Sequence, residues 1–183
     1  MLDVSPAEIP DVLLIQPKVI GDGRGFFLES YEKNKYAAAG LTAEFIQDNH
    51  SGSNQGTLRG LHYQIQHPQG KLVSVVRGEV FDVAIDLRRS SATFGQNVSV
   101  ILSSEKMNQI YIPPGFAHGF YVLSDWADLI YKATDKYAPK WERTLQWNDP
   151  TLGIDWPLVN GGELLISEKD LAGKSLSELE TFD

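Results

Sequence analysis

The stretches KLVSVVR at Lys71–Arg77 and VFDVAIDL at 80–87 decide the fold class of this chain. Both are rich in Val, Ile and Phe, and the second alternates apolar with polar residues, a pattern typical of half-buried strands. Gly78 and Glu79 lie between them and predict a turn. Further β-prone stretches continue at the spacing of about 8–12 residues that is typical of sandwiches and barrels. These later stretches are 97–102, 109–112, 118–123 and 128–134.

The segments before this region extend the same interpretation. Pro17 lies within the apolar stretch 12–19 and favours an edge strand or a bulge there, because proline cannot donate to a strand ladder. The sequence GDGRG at 21–25 predicts a turn. Three further extended segments are predicted at 26–31, 45–48 and 57–66.

Helical signals are confined to two short places. Residues 32–39 contain good helix formers and stop at Gly40, a residue that suits the position after a helix. Ser175 and Glu178 have the spacing of a capping box and predict a short terminal helix. The chain shows no linker and no repeat. We therefore predict one domain over residues 1–183, an all-β double-sheet jelly roll with short helices near the N-terminal third and at the C-terminus.

Composition excludes several classes of protein. The chain has 183 residues, with 16 Lys and Arg against 24 Asp and Glu, and its formal net charge is −8. Nucleic-acid binding depends on a basic surface, so we expect no nucleic-acid partner. The lack of cysteine excludes disulfides, thiolate metal sites and a cysteine nucleophile. The N-terminus is acidic and interrupted by Pro6, and no stretch approaches the ~18 apolar residues of a membrane span. We expect a cytoplasmic protein without a membrane partner.

One of the four histidines lies in a strand where its surroundings suggest a cavity. Strict alternation over 58–64 puts Leu58, Gly60, His62 and Gln64 on one face, and the small Gly60 leaves space above it. If this face is the interior, His62 lies in a cavity and is available for chemistry. A core histidine held by one hydrogen bond explains the pattern equally well. Two acids, Asp82 and Asp170, are candidates to orient His62. Asp170 is explained equally well as an acid near the start of a helix, where the helix dipole favours it.

The sequence PPGFAHG at 113–119 resembles the second conserved motif of the cupin superfamily, P-x-G-x-x-H. In many cupins this histidine binds a metal together with an H-x-H pair and a glutamate of the first motif. Here His62 is followed by Tyr63 and Gln64, so that His62 and His118 alone are too few for a catalytic metal. We predict no metal and no cofactor.

Basic and aromatic residues near turns suggest a phosphorylated ligand. Arg24, Arg59 and Lys71 are either ordinary surface charges or ligands of a phosphate group at the mouth of the fold. The rings of Phe26 and Tyr137 can stack on a base, although either residue can simply pack. Tyr131 is a core tyrosine unless it faces the same cavity as His62, where it would be a proton donor.

Taken together, these segments resemble one family. Residues 21–30 (GDGRGFFLES), 47–51 (QDNHS) and 58–64 (LRGLHYQ) resemble motifs of the dTDP-4-dehydrorhamnose 3,5-epimerase family, whose members are metal-free cupins of dTDP-L-rhamnose synthesis. Further motifs follow in family order at 69–73, 78–83, 112–120, 131–134, 147–149 and 152–157. The resemblance covers residues 9–170, and with it nearly the whole chain.

The resemblance implies a reaction and a role for each matching residue. The enzyme would be an isomerase that inverts C3 and C5 of a nucleotide-linked 4-keto-6-deoxyhexose, because both protons are α to the C4 ketone. His62 would be the base, Asp170 its orienting partner, Lys71 the stabiliser of the oxyanion at O4 and Tyr131 the acid on the opposite face. Substrate-binding residues would be Arg24, Phe26, Glu29, Gln47, Asp48, Asn49, Arg59, Lys71, His118, Tyr137, Glu142 and Lys169.

The resemblance also implies a homodimer in which an N-terminal strand is exchanged, so that each site takes part of its residues from the neighbour. The product would serve carbohydrate synthesis, including lipopolysaccharide O-antigen. Three alternatives stay open on the sequence: a related cupin that inverts one centre or acts on another keto sugar, a sugar-nucleotide-binding module without catalysis, and a metal-dependent cupin enzyme. The missing H-x-H pair argues against the last of these.

Overall fold

Strands dominate the structure of this chain. The computed structural model describes residues 2–159, 161 and 163–183, so that Met1, Asn160 and Gly162 of the predicted 1–183 domain lie outside it. The strands are β1 Asp3–Pro6, β2 Leu13–Gln16, β3 Val19–Asp22, β4 Gly25–Leu28, β5 Gln47–Asn54, β6 Thr57–Gln64, β7 Lys71–Arg77, β8 Glu79–Asp86, β9 Asn97–Ser103, β10 Gln109–Ile112, β11 Phe116–Val122, β12 Trp126–Ala133, β13 Glu142–Thr144 and β14 Leu165–Ile166. The helices are α1 Lys33–Ala38 and α2 Glu168–Leu171, with short 3-10 helices at Pro139–Trp141, Pro150–Leu152 and Leu176–Glu178. None of the helices in the described residues is long and apolar enough to span a membrane.

Two large sheets form the cupin-like jelly roll that the sequence predicts. The first sheet has the strand order β1-β2-β10-β7-β12-β5, and the second has the order β13-β6-β11-β8-β9. β14 adds to β6 as a parallel strand, and the other pairs are antiparallel. β3 and β4 form a separate hairpin that pairs with neither large sheet.

The chain crosses from one sheet to the other at Gly78. The strands β7 and β8 lie on either side of it, and they do not pair with each other: β7 lies between β10 and β12, whereas β8 lies between β9 and β11. Gly78 has φ +79°, and a Cβ at this position would lie 2.1 Å from the carbonyl oxygen of Trp126. Only glycine adopts this conformation without strain and fits this close approach. The turn predicted between the two decisive stretches is therefore a change of sheet.

The core lies between the two sheets. Val73, Ile110 and Leu129 of the first sheet pack in one cluster with Val80 and Phe120 of the second, and each is less than a tenth exposed. The other face of the second sheet is covered as well. There a second cluster joins residues of β6, β8 and β11 to the chain after β13; its buried members are Leu61, Tyr63, Val83, Ile85, Leu87, Ala117, Leu145, Leu152 and Leu179. The face of β6 that carries Leu61 and Tyr63 is therefore held firmly against this cluster.

Local predictions hold at the helices and fail at one strand. Glu32 caps α1 by accepting hydrogen bonds from two backbone N–H groups, and Gly40 follows the helix with φ +100°. The capping box at Ser175 is present, but it opens a 3-10 helix. The edge strand expected within 12–19 is wrong, because β2 pairs on both sides, with β1 and with β10. The strand at the edge is β1, and Pro17 lies just after β2 ends.

Replacing Gly78 with alanine is expected to lower the free energy of unfolding by about 2–6 kcal/mol, through backbone strain and the clash with Trp126. Urea titration followed by circular dichroism measures the change. Gly40→Ala isolates the conformational part, about 1 kcal/mol, because its φ is +100° but its Cβ would meet open space. Gly23→Ala, open and without positive φ, is the neutral control. A Gly78→Ala protein as stable as Gly23→Ala would contradict the crossing described here.

Candidate active site

A bulge in β6 turns two functional side chains toward the same space. In the pairing of β6 with β11, His62 lies opposite His118 and Arg59 lies opposite Phe120, so that two residues of β6 face the single Gly119. Gly60 at this bulge has φ +106°. The alternation predicted from sequence is therefore wrong: the partner of His62 on its face is Arg59, and Leu58 faces the other way, opposite Tyr121. Bulges re-aim side chains in this manner beside many active sites.

The space that these residues face is a cavity of about 310 Å³ between the two sheets. The first sheet contributes Ser51, Lys71, Leu129 and Tyr131. The second sheet contributes Arg59, His62, His118, Gly119 and Phe120, while Ser167, Lys169 and Asp170 lie at the rim, at the start of α2. This space is referred to as the cavity from here on. It brings together the four residues that the resemblance names as catalytic.

His62 and Asp170 form a hydrogen-bonded pair. Nε2 of His62 lies 2.6 Å from Oδ1 of Asp170, whose side chain is 6% exposed. The other carboxylate oxygen accepts from the backbone N–H of Gly60 at 3.3 Å. Burial raises the pKa of Asp170, but its hydrogen bonds, the one from His62 foremost, hold that pKa below its usual value. Since a carboxylate accepts, Nε2 of His62 carries the proton, and Nδ1 is left as the basic atom.

Asp170 occupies its place through helix capping. Ser167 caps α2, and its hydroxyl accepts a hydrogen bond from the backbone N–H of Asp170 at 3.1 Å. The two sequence-based interpretations of Asp170 are thus compatible, since this acid lies in the first turn of a helix and also orients His62. The second candidate, Asp82, does not contact His62. It pairs with His118 instead.

Tyr131 and Lys71 lie across the cavity from His62. Both belong to the first sheet, where Tyr131 pairs with Val73 and Lys71 pairs with Ala133, two positions further along the same two strands. The Lys71 ammonium lies 6.0 Å from the centre of the Tyr131 ring. Burial lowers the pKa of Lys71 to about 8, against the opposing charges of Asp82 and Glu142. Burial also raises the pKa of Tyr131, so that its phenol stays protonated at neutral pH.

His118 is the more deeply buried of the two cavity histidines. Its Nε2 lies 2.9 Å from Oδ2 of Asp82, and both residues are less than a tenth exposed. Burial lowers the pKa of His118, so that its imidazole is neutral at pH 7. Arg59 beside it is anchored to β5: its Nε donates to the Ser53 hydroxyl at 2.9 Å and its Nη2 to the Gly52 carbonyl at 3.3 Å.

A group of polar residues beside the cavity matches part of the expected nucleotide site. Gln47 accepts a hydrogen bond from the backbone N–H of Tyr137 and donates to Asn49. The Tyr137 hydroxyl and the Lys169 ammonium both donate to the Glu142 carboxylate. Burial raises the pKa of Glu142, but these hydrogen bonds outweigh it and hold the pKa low. Tyr137 itself is about half exposed, so that one face of its ring is open for stacking.

Four of the expected binding residues do not meet the others. Asp48 alternates with Gln47 and Asn49 along β5 and ion-pairs with Lys132 at 2.9 Å, away from the cavity. The remaining three lie in or just after the β3–β4 hairpin: Arg24 pairs with Asp22, Phe26 is 63% exposed, and Glu29 pairs with Lys35. None of these three lines the cavity of its own chain.

Sequence reasoning missed some of the cavity wall. Ser51 and Phe120 line the cavity, and Ser53 anchors Arg59. The signal for the serines was present, because Gln47, Asn49, Ser51 and Ser53 alternate along β5. That strand runs to Asn54, whereas the expected segment stopped at residue 48.

Comparisons with known proteins agree on one family. The sequence model described as dTDP-4-dehydrorhamnose 3,5-epimerase matches residues 6–178. A dTDP-4-dehydrorhamnose 3,5-epimerase of Pseudomonas aeruginosa is 56% identical over 175 residues, which cover 95% of this chain and 96% of the relative.

Solved structures give the same result. The dTDP-6-deoxy-D-glucose-3,5-epimerase of Legionella pneumophila, solved in complex with dTDP-4-keto-L-rhamnose, matches with a TM-score of 0.95 at 51% identity, covering 98% of this chain and 95% of that one. A 3'-monoepimerase of Streptomyces bikiniensis, solved in complex with dTDP-quinovose, matches with a TM-score of 0.87 at 32% identity, covering 94% of this chain and 87% of that one.

Treatment with a chelator is expected to leave activity unchanged. Both cavity histidines direct Nε2 at a carboxylate, and no group of three or more His, Cys, Asp or Glu among the described residues is placed to hold a metal ion. The measurement is the epimerisation rate before and after dialysis against EDTA, with metal content followed by mass spectrometry. Loss of activity that one divalent metal restores would contradict this prediction.

Proposed function

The chain belongs to the dTDP-4-dehydrorhamnose 3,5-epimerase family, and we propose that His62 removes the protons at C3 and C5 of the substrate while Tyr131 returns protons from the opposite face. The family match confirms the resemblance seen in the sequence, and the chain is an isomerase of this kind. One observation carries the assignment of roles. His62, hydrogen-bonded to Asp170 of α2, lies on the second sheet, Tyr131 lies on the first, and His62 and Tyr131 face one cavity.

Inversion of a carbon needs a base on one face and an acid on the other. Nδ1 of His62 takes the proton from C3, and the electron pair of the broken C–H bond forms the C3=C4 double bond of an enolate, with its charge on O4. The pair then returns to C3 and takes the hydroxyl proton of Tyr131 from the other side. Solvent takes the proton from His62 and reprotonates Tyr131. The same sequence at C5 runs through the C4=C5 enolate.

Lys71 is placed to stabilise the enolate. It lies on the same sheet as Tyr131, and its ammonium is the cation of the cavity that burial brings closest to neutral pH, with a pKa of about 8. A positioned donor of this type is typically worth about 3–4 kcal/mol of transition-state stabilisation. Deprotonated, the same amine cannot offset an oxyanion.

The nucleotide end of the substrate fits the polar residues beside the cavity. Arg59, held by β5, supplies the guanidinium for the diphosphate. Gln47, Asn49 and Tyr137 supply amide groups and a ring for the base, with Glu142 and Lys169 beside them. Asp48 does not fit this arrangement as it stands. It pairs with Lys132 on the other face of β5, so that contact with the nucleotide would require its side chain to reach the opposite face of the strand.

The β3–β4 hairpin supports a homodimer with shared sites. It pairs with neither large sheet, and it exposes Ile20, Phe26 and Phe27 by more than half each. A hairpin with such a surface is expected to be covered by another chain. Exchange of this N-terminal segment would bring Arg24, Phe26 and Glu29 to the cavity of the neighbour. We further propose a cytoplasmic enzyme whose product serves O-antigen synthesis.

A one-centre reaction is the second candidate, because a 3'-monoepimerase has the same fold at a TM-score of 0.87. The relatives acting on both centres are closer in sequence, at 51% and 56% identity against 32%. Product analysis at C3 and C5 separates the two candidates.

Variants of the two proposed proton-transfer groups are expected to have different effects. His62→Ala should lower solvent exchange at both C3 and C5 by about 10²–10⁴-fold, because no other group removes either proton. Tyr131→Phe should still admit deuterium from D2O but lose inversion, most at C5, since only the acid is gone. NMR of the deuterium position and the ring stereochemistry measures both effects.

The matched controls are His67→Ala and Tyr111→Phe, which carry the same substitutions outside the cavity. Both should keep the original rate. A Tyr131→Phe enzyme that inverts both centres at that rate would show Tyr131 to be a packing residue, and the two-face mechanism would be wrong.

The fall of kcat/KM at alkaline pH is expected to follow the loss of the proton from Lys71. Its pKa of about 8 means that the ammonium is present below this pH and is lost as the pH rises through it. kcat/KM should therefore fall above about pH 8, and Lys71→Met should cost about 10²–10³-fold at pH 7. Lys140→Met, on the exposed 3-10 helix, should leave the profile unchanged. A profile that stays flat to pH 9.5 would remove Lys71 from this role.

Mixing two inactive variants is expected to restore activity. Light scattering should first give twice the chain mass of 20.4 kDa. If the hairpin serves the neighbour, a His62→Ala chain supplies an intact Arg24 to the intact cavity of an Arg24→Ala chain. Random exchange then yields about a quarter of the native sites. No recovery in a mixture shown to contain heterodimers would place the hairpin on its own chain.

A further inference from the structure

Asp82 is a buried carboxylate for which the mechanism above has no use. It lies in the middle of β8 with an exposed fraction of 0%, and it reaches the cavity only through His118. Its Oδ2 accepts from Nε2 of His118 at 2.9 Å. Its Oδ1 is buried and makes no hydrogen bond with any described residue. Burying a carboxylate with one oxygen unpartnered costs free energy of folding. Stability alone therefore does not explain why an aspartate occupies this position.

The same strand carries a second buried carboxylate, Asp86, both of whose oxygens accept hydrogen bonds. Asp86 is also 0% exposed, but its oxygens accept from Arg88, from Thr93 and from a backbone N–H. This network satisfies Asp86 within the fold, and it is a purely structural arrangement. Asp82, by contrast, has one hydrogen bond, from His118, and its charge interacts through space with the Lys71 ammonium.

The charge of Asp82 acts on both neighbours. It is the largest influence that keeps the pKa of Lys71 from falling further, with Glu142 second, and it opposes the effect of burial on the pKa of His118. The other titratable or charged groups that line the cavity are Arg59, His62, Tyr131, Lys169 and Asp170. Asp170 is hydrogen-bonded to His62, and Glu142 has the smaller effect on Lys71, so that Asp82 is the carboxylate that most favours the charged form of Lys71.

We propose that Asp82 is a positioning residue of the epimerase: it holds His118 with its proton on Nε2 and keeps the Lys71 ammonium charged for the enolate. The second part rests on the role proposed for Lys71. With Nε2 donating to Asp82, the neutral His118 has only Nδ1 to offer, and Nδ1 is an acceptor. An acceptor suits a sugar hydroxyl and does not suit a phosphate oxygen, which has no proton to donate at pH 7. His118 therefore accepts a hydrogen bond from a hydroxyl of the sugar, and Arg59 binds the diphosphate.

The test compares Asp82→Asn with Asp86→Asn, the same substitution at the same burial on the same strand. Loss of the Asp82 charge should move the alkaline fall of kcat/KM to lower pH by about one unit, because an opposite charge nearby shifts a pKa by about 1–3 units. The amide can also donate to Nε2, so that ¹⁵N NMR of His118 should show both tautomers in Asp82→Asn and the Nε2–H form in the native enzyme. Asp86→Asn should lower stability and leave both readouts unchanged.

Each outcome has one meaning. An unchanged alkaline limb together with an unchanged tautomer in Asp82→Asn would reduce Asp82 to a packing role. Nδ1–H in the native enzyme would overturn the proposal even if the variant failed to fold. Should the native profile show no fall near pH 8, the role of Lys71 fails, and the NMR result still decides whether Asp82 fixes His118.

Discussion

The close approach of β6 to β11 at two glycines is the constraint on which the site depends. A Cβ on Gly60 would lie 2.7 Å from the carbonyl oxygen of His118, and a Cβ on Gly119 would lie 2.5 Å from the carbonyl oxygen of Arg59. With no side chain at either position the strands can meet with a bulge, and the bulge directs Arg59 and His62 into the same cavity. The conformational entropy lost by glycine is the cost of this arrangement.

The two sheets divide the chemistry between them. The base and its orienting acid belong to the second sheet and the helix beside it, whereas Tyr131 and Lys71 belong to the first sheet. Burial then shifts the pKa of three of these groups, in the direction that the role requires for Tyr131 and His118 and against it for Lys71. It keeps the Tyr131 phenol protonated and the His118 imidazole neutral, and it brings the pKa of Lys71 to about 8, where loss of the proton is within reach of physiological pH.

Sequence predicted the regular parts of this fold and the chemistry that motifs carry. The strands β7 and β10 begin and end where the sequence predicts them, because Leu72, Val73 and Val75 of β7 and all four residues of β10 are buried apolar or paired positions of one sheet. Alternation could not predict the face of Arg59, since a bulge changes the period at Gly60. It also could not choose between Asp82 and Asp170 as the partner of His62, because that choice depends on which strands and helices meet in space. The strand β14 and the helix α2 are too short to give a periodic signal.

The central claim, that base and acid act from opposite walls, is tested most directly by the fate of the substrate's own hydrogens in the native enzyme. A substrate deuterated at C3 and C5 is converted in ordinary water under single-turnover conditions, and the product is analysed by NMR. If His62 removes each deuteron and Tyr131 delivers a different hydrogen, the inverted centres carry hydrogen from solvent and no deuterium. Deuterium retained at an inverted centre would mean that one group carries the same hydrogen from face to face, and the two-wall account would be contradicted.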